Sequence, residues 1–246
     1  MLNKIHNMDC LVGMKAIPSK SIDMILCDLP YGKTQNKQDK PIPFEPLWKE
    51  YKRIIKDNGA IILFGQGTFF ADLINSNRKM YRYDLVWDKV LTSGFLNANK
   101  MPLRRHEQVA VFYKKLPTYH PQKNIGKKNH SKGNSKQIIN NNYGNFESVD
   151  NSAKLGNMKH PTSIVRFEKP HPSISKHRTE KPVALLEYLI RTYTNEGETV
   201  LDNCMGSGST AIACINTERN YIGFEISKEY CDIANKRLEE IKNVIK

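Results

Sequence analysis

The segment from Thr199 to Glu225 restricts the fold of this chain more than any other. Thr199–Asp202 (TVLD) reads as a short buried strand. A glycine-marked turn follows, Gly206-Ser207-Gly208-Ser209-Thr210, and the spacing predicts a helix over Gly208–Asn216. Tyr221–Phe224 (YIGF) predicts the next strand, and Glu225 stands at its end. A strand, a tight turn, a helix and a second strand make a βαβ unit, whose two strands must run parallel.

The rest of the chain repeats this alternation. Ile22–Cys27 (IDMILC) and Ala60–Phe64 (AIILF) read as buried strands, and Arg82–Trp87 and Glu107–Tyr113 as further ones. Glu45–Asp57 places Leu47, Trp48, Tyr51, Ile54 and Ile55 at helical spacing, with Asn58-Gly59 as a stop. Thr68 can cap a helix to about Arg78. Pro182 suits the first position of a helix to about Tyr193, and Ser227 can cap a final helix. The expectation is an α/β fold, a mostly parallel sheet covered by helices on both faces.

No apolar run approaches the ~20 residues that span a membrane. The start, MLNKIHNMDCLVGMK, holds no signal-peptide core, so a cytoplasmic protein without a membrane partner is expected. Five scattered cysteines show no C-x-x-C, which argues against a disulfide framework or a zinc site. The isolated histidines show no ligand spacing either, so no metal is expected.

Charge is concentrated. Of the net +13, the stretch from Lys114 to Arg178 contributes +10, with 13 Lys and Arg against Glu147, Asp150 and Glu168. That stretch is rich in Asn, Gly and Ser, lacks periodicity and carries Tyr119, Tyr143, Phe146 and Phe167. Long irregular segments inside a domain are usually functional. A basic one with interleaved aromatics suits a polyanion, nucleic acid first. The division expected is residues 1–115 as one half of a domain, 116–176 as an insertion and 177–246 as the other half. The Arg104-Arg105 pair suits either a phosphate contact or a solvated turn.

Two turns carry chemistry. After the strand at 199–202, Gly206 and Gly208 let backbone approach a ligand closely. Glu225, 19 residues beyond Gly206, can accept hydrogen bonds from two ribose hydroxyls. A dinucleotide site would carry a third glycine where this chain has Ala211, and Asp202 would oppose a pyrophosphate. A cationic nucleoside fits better, which points to S-adenosylmethionine. The second turn, Asp28-Leu29-Pro30-Tyr31, directly follows IDMILC. Methylation of an exocyclic amine needs two acceptors on its hydrogens, to draw the nitrogen lone pair out of conjugation. The Asp28 carboxylate and the Leu29 carbonyl can supply them, and Tyr31 a face for a planar base.

These residues resemble the motifs of amino-group DNA methyltransferases. Asp28-Leu29-Pro30-Tyr31 is similar to their D-P-P-Y motif, and Leu201-Asp202 with Gly206–Thr210 to their L-D-x-F-x-G-S-G-T motif. His177-Arg178-Thr179-Glu180-Lys181-Pro182 resembles H-x-T-x-K-P, and Asn7-Met8-Asp9-Cys10 a G-D-C element. With the catalytic element first and the cofactor element last, the order is similar to the permuted β class. The resemblance leaves out only about 116–175.

The resemblance implies a Rossmann-like class I methyltransferase fold, with a seven-stranded sheet and one antiparallel strand. It implies that Asp202, Gly206, Ser207, Gly208 and Thr210 line the methionine part of S-adenosylmethionine, and that Glu225 holds the ribose. Asp9 and Cys10 would lie near the cofactor's adenine, while Lys181, with Thr179, would support the methionine end. Asp28, Leu29, Pro30 and Tyr31 would hold a base flipped from double-stranded DNA, and the insertion would recognise the target. A homodimer and a cognate restriction endonuclease are the companions such an enzyme suggests.

Two departures matter. Leu29 replaces the first proline of D-P-P-Y, where the acceptor is backbone. Cys204 stands where an aromatic is usual, which predicts weaker packing on the methionine moiety. Asp as the first motif residue resembles N6-adenine enzymes, whereas N4-cytosine enzymes more often carry Ser. The rivals are an amine methyltransferase of RNA or protein, where N-P-P-Y serves, and a non-catalytic DNA-binding module. An NAD-binding oxidoreductase would leave Asp28–Tyr31 unexplained.

Overall fold

Eight strands form the central sheet. The computed structural model describes residues 1–32, 39–127, 156–169 and 180–245. The first unit, Met1–His120 with Ser163–Lys246, contains β1 (Lys4–Asn7), β2 (Ile22–Cys27), β3 (Ile55–Gly65), β4 (Tyr81–Ser93), β5 (Arg104–Phe112), β8 (Ile164–Arg166), β9 (Thr199–Asp202) and β10 (Asn220–Glu225). Their order across the sheet is β1-β10-β9-β2-β3-β5-β4-β8. Only β5 runs antiparallel to the rest.

The helices are α1 (Cys10–Gly13), α2 (Phe44–Ile54), α3 (Gly67–Ser76), α4 (Val183–Tyr193), α5 (Ser209–Asn216) and α6 (Lys228–Ile245). They cover both faces, and the sequence of the central strands shows why. Met24 and Leu26 of β2, with Ala60, Ile62 and Phe64 of β3, pack into one core with Leu185, Leu189, Ala213 and Ala234. Ile25 and Cys27, with Ile61 and Leu63, pack into the other with Leu47, Tyr51, Phe70 and Leu73. Alternate residues of a strand point to opposite faces, so a strand buried on both must be apolar throughout.

Three elements differ from the sequence expectation. Among the described residues the sheet has eight strands rather than seven. The additional one, β8, lies within the stretch read as irregular and pairs with β4 at the sheet edge. β1 also went unread, because Lys-Ile-His-Asn offers one apolar residue and only Ile5 is buried; pairing with β10 makes it a strand. Helix α2 ends at Ile54, and Asn58-Gly59 does not stop it. Those residues lie in a bulge of β3, where the register with β2 jumps from Ile22↔Ile55 to Met24↔Ala60.

The second unit, Pro121–Thr162, carries β6 (Asn124–Ile125) and β7 (Met158–Lys159), paired antiparallel. It is narrower than the insertion of 116–176 read from composition. Tyr143, Phe146, His130, His171 and the His177–Thr179 part of the upstream motif lie outside the described residues. Phe167 packs against Tyr188 at 5.5 Å beside the main core, so its apolar ring is spent on folding rather than offered to a polyanion. No helix of the described residues is long and apolar enough to cross a membrane.

Candidate active site

The strand order puts the two chemical turns side by side. β9 leads outward to β10 on one flank and β2 leads to β3 on the other, so the order reverses between β9 and β2. Ligands of open α/β sheets bind at this reversal, beyond the carboxyl ends of the strands. Asp202 ends β9, Asp28 directly follows β2, and Glu225 ends β10. Because β5 is antiparallel, its first residues reach the same edge, and they bring Glu107.

These residues line a cleft of about 990 Å³. On one side lie Asp9, Cys10, Asp202, Gly206, Ser207, Thr210 and Glu225, and on the other Asp28, Leu29, Pro30, Tyr31 and Lys181. Of the residues expected at the site, only Gly208 and Thr179 are not in the lining, and Thr179 lies outside the described residues.

Each acid has its own setting. Asp202 is 4% exposed; its Oδ2 accepts from the Thr210 hydroxyl at 2.6 Å and its Oδ1 from the Cys204 N–H at 3.0 Å. Burial pushes its carboxyl up to about 6, against these hydrogen bonds. Glu225 accepts from the Gly206 and Ser227 N–H groups, both at 2.8 Å, which ties the glycine turn to the end of β10. Burial raises it as well. Asp9 caps α1 by accepting from Leu11 and Val12 N–H groups.

Asp28 is held from two sides. The Tyr31 hydroxyl donates to its Oδ1 at 2.6 Å, and the Lys181 ammonium donates to its Oδ2. Burial first, and the Asp28 charge next, raise the Tyr31 phenol well above its ordinary value. One face of the Tyr31 ring meets Phe69, with centroids 4.7 Å apart. Lys181 therefore sits with the acid of the second turn, whereas the resemblance implied the methionine end.

The two glycines divide their work differently than expected. Both have positive φ, +54° at Gly206 and +87° at Gly208. A Cβ on Gly206 would meet nothing within 4 Å, which suits a backbone laid open to a ligand. A Cβ on Gly208 would fall 2.9 Å from the Ala234 Cβ, so that glycine lets the start of α5 approach α6 instead. Ser207 accepts from Arg237, which also pairs with Glu180 at 2.6 Å, and Ser209 donates to Glu180 at 2.8 Å.

Glu107, Glu180, Asn203 and Arg237 were missed by sequence reading. Asn203 accepts from the Tyr51 hydroxyl at 2.5 Å and donates to the Cys10 and Cys204 sulfurs. Glu107 left one signal, an acid at the head of the run EQVAVFY, which turns apolar only from Val109 on. Arg105 is committed to Asp88 by two bonds, at 2.8 and 2.9 Å, and Arg104 to Gln66. The five cysteines are free thiols. Among the described residues no group of three or more His, Cys, Asp or Glu could hold a metal ion.

The family described as DNA methylase, that of the N6 and N4 methyltransferases, matches residues 22–236. This chain belongs to that family. As a DNA methylase it is similar to the type II methyltransferase M.HinfI of Haemophilus influenzae, at 30% identity over 98% of this chain and 69% of the relative. It is 27% identical to the DNA adenine methyltransferase YhdJ of Escherichia coli strain K12, over 96% and 82% of the two chains. Its fold is that of the M1.HpyAVI complex with S-adenosylmethionine, with a TM-score of 0.64 and 24% identity over 96% and 98% of the chains. The methylase thus has the class I methyltransferase architecture read from its motifs, with β8 added at the sheet edge.

Proposed function

We propose that this methylase transfers the methyl group of S-adenosylmethionine to the exocyclic N6 amine of an adenine flipped out of duplex DNA. The observation that carries the reading is the adjacency of two acidic strand ends across one cleft. Asp202 and Glu225 make an acid-lined pocket that suits a cation with ribose hydroxyls and rejects a pyrophosphate. The donor set therefore fits S-adenosylmethionine, whose electrophilic methyl is the group transferred. Asp202 would face its amino group or sulfonium, Glu225 the ribose, and Asp9 and Cys10 the adenine.

Across the cleft, Asp28 and the Leu29 carbonyl would accept the two hydrogens of the substrate amine. That draws its lone pair toward the methyl and stabilises the positive charge developing on nitrogen. Tyr31 would stack on the base while its hydroxyl fixes the Asp28 carboxylate. Alignment of amine, methyl and sulfur supplies much of the rate without a covalent enzyme intermediate. The basic stretch of 116–176 would contact the duplex and select the target.

Asp rather than Ser at position 28 supports adenine, as does the likeness to an adenine enzyme. The second reading, N4 of cytosine, follows from a family that covers both amines, which need the same two acceptors. Methylome sequencing of cells expressing the protein, beside an Asp28→Ala control, separates the two. Modified adenine in one short motif is the expected result. Modified cytosine would overturn the base assignment, and no modification despite bound cofactor would move the substrate away from DNA.

A further inference from the structure

Asp28 belongs to a chain of alternating charge that the reaction as described does not use. Lys181 donates to Asp28 and lies 3.3 Å from Glu107 Oε2, and Lys89 lies 3.2 Å from Glu107 Oε1. The Lys181 side chain is 9% exposed and that of Lys89 5%. The Lys181 ammonium also sits 5.1 Å from the centre of the Phe64 ring. Two acids and two ammonium groups cancel, and buried charges persist only when paired in this way.

The contact between Lys181 and Glu107 is an ion pair without a directed hydrogen bond, since the buried Oε2 accepts none. Its length exceeds that of a charge-assisted hydrogen bond, about 2.8 Å, by roughly half an ångström. Lys181 thus stands close to two carboxylates and is hydrogen-bonded to only one. That one is the acid which, on the functional reading above, must accept from the substrate amine. An ammonium on Oδ2 draws on the same lone pairs, and Tyr31 already holds Oδ1.

We propose that Glu107 is a positioning residue for methyl transfer: it takes the Lys181 ammonium from Asp28 when the substrate amine arrives, freeing the acceptor while keeping the cation buried and paired. The distance to be covered is small, and the receiving oxygen is buried and lacks a donor. Both partners carry charge at neutral pH. Burial works against each of them. The lysines nevertheless hold Glu107 below its ordinary value, and the two acids hold Lys181 above its own. Tyr31 and Lys169, both in the cleft lining, are further titratable groups close to these four charges.

The proposal rests on the methyltransferase reading, and Asp28→Ala separates the two. An active Asp28→Ala enzyme would overturn that reading. An inactive one leaves Glu107 to be tested by itself. In Glu107→Gln, Lys181 has no second carboxylate and stays clamped on Asp28. The expected loss is roughly 10²-fold in kcat, the scale of a misplaced reacting group, with KM for duplex DNA and cofactor affinity unchanged. Lys181→Met added to Glu107→Gln should restore part of that rate, because no cation then competes with the amine. A merely structural Glu107 would instead make the double variant the slower one. Should Glu107→Gln fail to fold, Lys181→Met alone decides through its pH profile. Without the cation the two carboxylates repel, and the acidic limb of kcat should move to higher pH. A wild-type kcat in Glu107→Gln, losses that multiply in the double variant, or an unmoved acidic limb in Lys181→Met would overturn the proposal.

Discussion

Asp202 ends one strand and Asp28 directly follows its parallel neighbour, yet their surroundings are opposite. Asp28 is a quarter exposed in its side chain and is neutralised by a resident ammonium. Asp202 is buried, and the donors to it are a hydroxyl and a backbone N–H, both neutral. One acid already has its cation, which under the two proposals it gives up to work. The other is built without one, and a ligand that brings positive charge would offset the cost of its buried carboxylate. On the proposed function the same side chain at the same sheet edge serves two ends of one transfer, set apart by Glu107 of β5 and by Lys181 just ahead of α4, which stand beside one acid.

The comparison breaks most sharply at Asp28. Asp28→Ala should lower methyl transfer by about 10³-fold or more, the scale of losing a preorganised charge partner, while the cofactor still binds. Single-turnover kinetics beside cofactor titration checks both halves. Asp202→Asn should do the reverse. Cofactor affinity should fall roughly ten- to a hundredfold, as for a lost charged hydrogen bond. Stability at pH 7 should rise. The raised pKa means that the native state holds the Asp202 proton more tightly than the unfolded chain. Burying the ionised form therefore costs stability that builds up from about pH 4 to 6, by about 3 kcal/mol. Thermal melts of both forms at pH 7 read the difference, and an Asp202→Asn melt below that of the wild type would contradict it.

A pH titration sharpens the contrast further. A cationic cofactor needs ionised Asp202, so affinity should drop about fourfold between pH 7.5 and pH 5.5 as that carboxyl takes up its proton. Calorimetry at the two values tests it, and equal affinities would remove Asp202 from the cation site. The smallest expected effect concerns packing. Gly208→Ala should destabilise the fold by about 1–3 kcal/mol, through the strained φ and the crowding of Ala234, without changing the chemistry at saturating cofactor.

Much of this site was legible because its residues sit next to the strands that carry them. Asp202 and Glu225 end TVLD and YIGFE, Asp28 follows IDMILC, and local pattern alone places all three at the sheet edge. The rest depended on pairings across long stretches of chain. Glu107 reaches the cleft because β5 runs backwards beside β3, and Lys181 meets Asp28 across 153 positions of sequence. β1 becomes a strand only beside β10, and Gly208 is a glycine because of a helix that begins twenty residues later. None of these leaves a periodicity to read.

The most direct test is isotopic. Duplex DNA is incubated with S-adenosylmethionine labelled in its methyl group and either the wild-type or the Asp28→Ala protein, then digested to nucleosides and analysed by mass spectrometry. The account predicts labelled N6-methyladenine with the wild type and at most a trace, about a thousandth of the rate, with the variant. Label deposited by Asp28→Ala at close to the wild-type rate, or none made by a wild-type protein that binds the cofactor, would contradict it.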